Sequence, residues 1–109
     1  MSEIEVVDKI KSLGLQVYPN VAPQDVDFPV VTYFVVSERK KQDLTASIWA
    51  NVKRFQVDIW SKSYKEVKEL KEQIINRLLE LKITDINIQD LYESDTKLYR
   101  ELIQFYIKE

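Results

Sequence analysis

The chain has 109 residues, a net charge of -2, and neither cysteine nor histidine. That length suits one domain, 1–109, and the charge lacks the basic footprint of a general nucleic-acid binder or of a partner for an anionic membrane surface. The two missing residue types exclude disulfides, thiol nucleophiles and thiolate metal sites, and remove the commonest general base and metal ligand.

Gly14 is the single glycine, whereas phosphate-cradling loops and dinucleotide fingerprints need several. No apolar run reaches the ~18 residues of a membrane span. Residues 1–5, MSEIE, are acidic and lack the basic and apolar regions of a secretory leader. The expectation is a soluble protein made in a cytoplasm, with no membrane partner.

Ser2 and Glu5 have capping-box spacing, and Val6, Ile10 and Leu13 recur at helical spacing. Gly14 stands where a left-handed residue stops a helix, so the spacing predicts a helix over 3–13. Pro19, Pro23 and Pro29 then fall close together. Each removes a backbone donor and biases its predecessor toward extended geometry, so 18–28 reads as an irregular crossing, anchored by Val17, Tyr18, Val21, Val26 and Phe28.

"VVTYFVV", residues 30–36, is β-branched and aromatic without clean alternation. It reads as a strand buried on both faces, or on one face with a subunit contact on the other. Residues 37–47 are polar. In the following strand Phe55, Val57 and Ile59 alternate with Arg54, Gln56 and Asp58. Together these make a hairpin with a long polar connection. Ser63 and Glu66 repeat the capping-box spacing, and Val67, Leu70, Ile74, Leu78 and Leu81 form a stripe. Residues 64–81 are the clearest helix. Residues 83–88 alternate as a short strand.

The closing segment, "DTKLYRELIQFYIK", supports two readings. Leu98, Leu102 and Phe105 have helical spacing, while Tyr99, Ile103, Phe105 and Ile107 share one side of an extended chain. Composition leans toward a strand, with a bulge between Glu101 and Leu102 restoring the alternation. The order α-β-β-α-β-β describes an α+β fold: a mostly antiparallel sheet of about four strands, with a long hairpin, packed by two helices.

Carboxylates are the remaining acid–base groups. Asp58, Asp85, Asp90, Glu93 and Asp95 read as solvent-facing strand and turn residues, so no catalytic, cofactor or metal site is expected. Arg39, Lys40 and Lys41, with Gln42 and Asp43, form a basic hairpin tip, a candidate partner contact or a solvated loop that protects an edge. Trp49 and Trp60 are candidate interface anchors. Trp60 falls on the polar side of its strand, which suits either burial under a helix or an interface.

Three stretches resemble one family: "VYPNVAPQDVDFPVVTYFV" (17–35), "RFQVDIWSKSYKEVKELKEQIINRLL" (54–79) and "LYESDTKLYRELIQFYI" (91–107). With Tyr18-Pro19, Ala22-Pro23, Pro29, Val57-Asp58-Ile59-Trp60 and Asp95-Thr96 before Tyr99, the chain is similar to the tail-completion, or tail-to-head joining, proteins of long-tailed phages, also called tail terminators. The resemblance implies a closing strand over 98–107 and a non-catalytic virion protein. It also implies a ring, commonly a hexamer, at the head-proximal end of the tail. Implied partners are other copies of the chain, the tail-tube protein and the head–tail connector or stopper. DNA passes through the lumen without specific binding, and no cofactor is implied. A second reading stays open, a small cytoplasmic α+β adaptor or ligand-binding domain without catalysis.

Overall fold

The computed structural model describes residues 2–42 and 48–108. Helix α1 (Ser2–Lys11) buries Val6 and Ile10 completely. It ends in a turn closed by the Gly14 amide donating to the Lys11 carbonyl, with Gly14 at φ +81°. That is the left-handed region, which glycine enters without the steric cost of a Cβ.

Strand β1 (Gln16–Pro19) follows and runs parallel to β2 (Val30–Gln42). The sequence reading had no strand here. Four residues with Val17 as their one buried side chain carry too little periodicity to register as an element. Residues 20–29 make the expected crossing, which includes a cis Phe28–Pro29 bond.

β2 and β3 (Ile48–Ser61) form the antiparallel hairpin. Its strands reach much farther than the polar composition of 37–47 suggests: β2 continues to Gln42 and β3 begins at Ile48. The pairing continues past the body of the sheet after a one-residue step in register at Val36, with Arg39 opposite Val52 and Lys40 opposite Asn51. Residues 37–40 are exposed and need no apolar alternation, so cross-strand pairing overrides weak β-propensity.

Helix α2 (Tyr64–Leu78) starts at Ser63, whose Oγ accepts the Glu66 amide at 3.3 Å. Glu66 completes the cap in an altered form, accepting from the Ser61 hydroxyl while Ser61 Oγ accepts the Ser63 amide at 3.1 Å. Capping of this kind is worth about 1 kcal/mol. A 3-10 turn (Leu79–Leu81) closes the helical segment, and Lys82 at φ 58° ends it. β4 (Thr84–Glu93) and β5 (Leu98–Lys108) complete a five-stranded sheet in the order β1-β2-β3-β5-β4. There is thus one strand more than expected, and β4 is longer than a short strand. The closing segment is a strand.

No bulge interrupts β5 at Glu101. The ladder to β3 runs unbroken from Tyr99 to Lys108. The break in alternation has another cause: Glu101 sits on the helix-facing side with Tyr99, Ile103, Phe105 and Ile107, while Leu102 belongs to the opposite face.

Both helices lie on one side of the sheet, with α2 over β3 and β5 and α1 against α2 and β1. The core between the layers holds Val31, Phe55, Val57, Ile59, Ile103 and Phe105 from the sheet and Val6, Ile10, Ile74 and Leu78 from the helices. Phe55 and Phe105 are directly opposed in register and stack, with ring centroids 5.5 Å apart and planes 8° from parallel. Removing a buried phenylalanine typically costs about 3–5 kcal/mol, against about 5–15 kcal/mol of total stability for a small domain. Phe105→Ala is therefore expected to abolish most of the folding stability, read as a large drop in the urea midpoint; a drop no greater than that of an exposed substitution such as Gln89→Ala would contradict this account of the core.

Candidate assembly surfaces

With helices on one side only, the opposite sheet face is built from side chains of β2, β3, β5 and β4. It is polar and internally wired. Arg54 donates to Gln104 Oε1 and Gln104 Nε2 donates to Gln56 Oε1 at 3.0 Å. Arg100 donates through Nε to Asp58 at 3.2 Å and lies 3.6 Å from Glu93. The carboxylates weighed as acid–base candidates on this face, Asp58 and Glu93, are thus joined by one guanidinium in an ion-pair chain. Among the described residues, no group of acidic side chains could hold a metal ion.

Trp60 closes the end of this face. Its Nε1–H donates to Thr32 Oγ1 at 3.1 Å, and Arg100 lies 4.8 Å from its ring centroid. The even parity of β3 excludes burial under a helix, because Arg54, Gln56, Asp58 and Trp60 all point away from α2. Instead the ring lines an apolar pocket of about 300 Å³ with Val21, Pro23, Phe28, Val30 and Leu98. The proline-rich crossing forms one wall of that pocket and is what shelters Thr32 and Val30 from solvent.

The basic cluster does not sit on a loop. Arg39 and Lys40 lie in β2, exposed, with Lys40 Nζ 3.1 Å from Glu38. Lys41 and Gln42 continue the same strand, in register with Ala50 and Ile48. Asp43 lies outside the described residues. Trp49 falls in β3 by its backbone. Arg39 to Gln42 therefore form the outer strand of a two-stranded arm, since β5 reaches only as far as Val52 of β3. An isolated two-stranded ribbon is marginal in water, so an arm of this kind suits a surface completed by a partner.

The sequence reading missed β4 as a contact surface. This edge strand is exposed along nearly its whole length and shows Ile86, Ile88, Leu91 and Tyr92 to solvent. Apolar residues at both parities of one short strand were the available signal, since a half-buried strand shows them at one parity only.

Behind β4, Lys68 bridges Asp90 and Glu101, reaching Glu101 at 3.3 Å, and Lys71 stands 3.8 Å from Glu101. Glu101 is 1 % exposed. Burial, then the adjacent Asp90 carboxylate, pushes its carboxyl up to about 7 against the pull of Lys68. Asp90 moves the other way, held below the usual range by its hydrogen bonds with Glu101 and Lys68.

Comparison with known proteins decides between the two functional readings. The family model described as tail completion protein gp17 matches residues 9–108. The chain belongs to that family. It is a structural protein of phage tails, carried in the virion, and the adaptor reading gives way. No curated protein sequence matches it. A chain of a solved structure titled "Virion of native gene transfer agent (GTA) particle" shares the fold, with a TM-score of 0.72 at 12% identity, covering 94% of this chain and 90% of that one.

The Glu101 cluster fixes a pH dependence. An acid whose folded-state pKa stands above its unfolded value stabilises the fold fully below the unfolded value, and that stabilisation is lost as pH rises through about 7. Asp90 has the opposite sign, and its window lies at acid pH, below the ordinary carboxylate range. Between about pH 4.5 and 7 the wild-type protein should lose stability relative to Glu101→Gln, with little further change above that, measured as the difference in urea midpoints. Parallel pH profiles for the two proteins would refute this.

Proposed function

We propose that this protein closes into a ring of six copies on the head-proximal end of a phage tail. There it terminates growth of the tail tube and joins the tail to the head connector or stopper. The observation that carries this reading is the family match over residues 9–108. The fold gives it a physical basis. A closed ring is a heterologous assembly, so each subunit must present two different surfaces that fit each other. The long hairpin arm and the exposed β4 strand sit at opposite edges of one sheet, which is the placement a head-to-tail ring requires.

Trp60 and Trp49 are the proposed interface anchors. Arg39, Lys40, Lys41, Gln42 and Asp43 are the proposed partner contacts of the hairpin. A net charge of -2 suits a lumen through which DNA passes without being gripped, because tight binding depends on lysine and arginine neutralising phosphates. The protein is made in the host cytoplasm and ends in the virion tail.

Deleting the gene in the parent phage or prophage and imaging the lysate by electron microscopy tests the reading. Filled heads separate from tails, with overlong tubes among them, are expected. Intact joined particles at wild-type yield would overturn it.

A further inference from the structure

The sheet has two open edges, and their chemistries are complementary. On one side β1 covers β2 only from Val30 to Tyr33. Residues 34–42 of β2 therefore have no strand neighbour on their outer side among the described residues. On the other side β4, ten residues long, is terminal over its full length. At about 3.3 Å per residue, both open stretches run to roughly 30 Å.

β4 carries Asp85, Asp90 and Glu93 and no basic residue. It also lacks the lysines and prolines that usually protect a sheet edge, and it leaves Ile86, Ile88, Leu91 and Tyr92 exposed. The open part of β2 carries Arg39, Lys40 and Lys41 against the single Glu38, with Val36 exposed where the arm leaves the body. Asp90 and Glu93 also contact Lys68 and Arg100 within the subunit, each pair joined through a single carboxylate oxygen.

We propose that the basic outer edge of β2 in one copy, residues 34–42, lies along the acidic outer edge of β4 in the next copy, so that the sheet continues across the subunit seam. This deepens the ring reading and rests on it. The charges select the head-to-tail arrangement. Two β4 edges brought together would oppose carboxylates, and two arms would oppose lysines and arginines, both strongly disfavoured. The strand directions agree. β2 and β4 are linked through three successive antiparallel pairings, so they run in opposite senses. A sheet continuing from copy to copy would then join them antiparallel, by the same ladder that holds each subunit together.

The test is a charge swap scored by joined particles in gene-deleted phage. One chain carries Asp85→Lys, Asn87→Lys and Gln89→Lys on β4, which leaves three lysines against Asp90 and Glu93. The other carries Arg39→Glu with Lys40→Glu on the arm. All five positions are exposed, and Asp85, at φ 54°, stands in a backbone region that Lys82 and Lys97 already occupy in this chain, so the melting temperature of each purified chain should stay close to wild type. Each reversed chain alone should cut joined particles by about tenfold or more, because like charges then face each other across the seam.

Co-expression of the two reversed chains should restore most of the yield, since each altered edge then meets an oppositely charged one in an alternating ring. That rescue distinguishes a contact between subunits from one within a subunit. If either reversed chain alone supports normal assembly, or if co-expression rescues nothing while both chains fold, the seam is wrong. The deletion strain separates the two readings. Detached heads and tails in the deletion, with normal function of the reversed chains, would remove this seam and leave the ring. Joined particles in the deletion itself would remove both.

Discussion

The uninterrupted antiparallel ladder between β3 and β5 is the constraint from which the other features follow. It pairs Val52 with Lys108 at one end and Ser61 with Tyr99 at the other, with no bulge between. Because side chains alternate with period two, that register assigns every residue of both strands to a face, and a slip of one position would move them all to the other. It brings Phe55 onto Phe105 beneath α2 and sends Asp58 and Arg100 to the far side, where they pair. β4 pairs with the sheet through β5 alone, so the exposed apolar edge inherits its position from the same ladder.

Glu101 marks the place where this assignment costs most. Parity puts a carboxyl group on the buried side of the sheet, next to the core. A buried charge is tolerated only when paired and hydrogen-bonded, and α2 supplies that pairing with Lys68 and Lys71 on consecutive turns. Lys68 extends the link outward to Asp90 on β4. One cluster therefore ties helix, inner strand and edge strand together, and its charge state depends on pH near neutrality.

The elements with a buried face were legible in the sequence. The α2 stripe, the Phe55–Val57–Ile59 alternation and the Ser63 cap each reflect a local rule that tertiary packing reinforces. Tyr99, Ile103 and Phe105 marked the closing segment as a strand, and the family resemblance pointed the same way. What escaped were features set by geometry between distant segments. β1 exists because its four residues meet β2 in parallel, a pairing that local pattern does not encode. The arm residues 37–42 read as loop because their composition is polar, and 37–40 are exposed. The irregularity at Glu101 and Leu102 reads locally as a bulge because the lysines that pair with Glu101, Lys68 and Lys71, come from a helix elsewhere in the chain and are invisible to local periodicity. Of the candidate contacts, Trp60 was placed on the correct face by parity, while the pocket it lines depends on how the proline-rich crossing folds back.

β3 also links the arm, the centre of the sheet and the start of α2. It begins in the arm at Ile48, passes through the centre of the sheet, and ends at Ser61, whose hydroxyl engages both the Ser63 amide and Glu66 at the start of α2. The step in register at Val36 and the end of β5 opposite Val52 leave the arm two strands wide beyond that point. A bulge bends and twists its strand, so load applied at the tip of the arm is taken up as flexure there before it reaches the base of the helix.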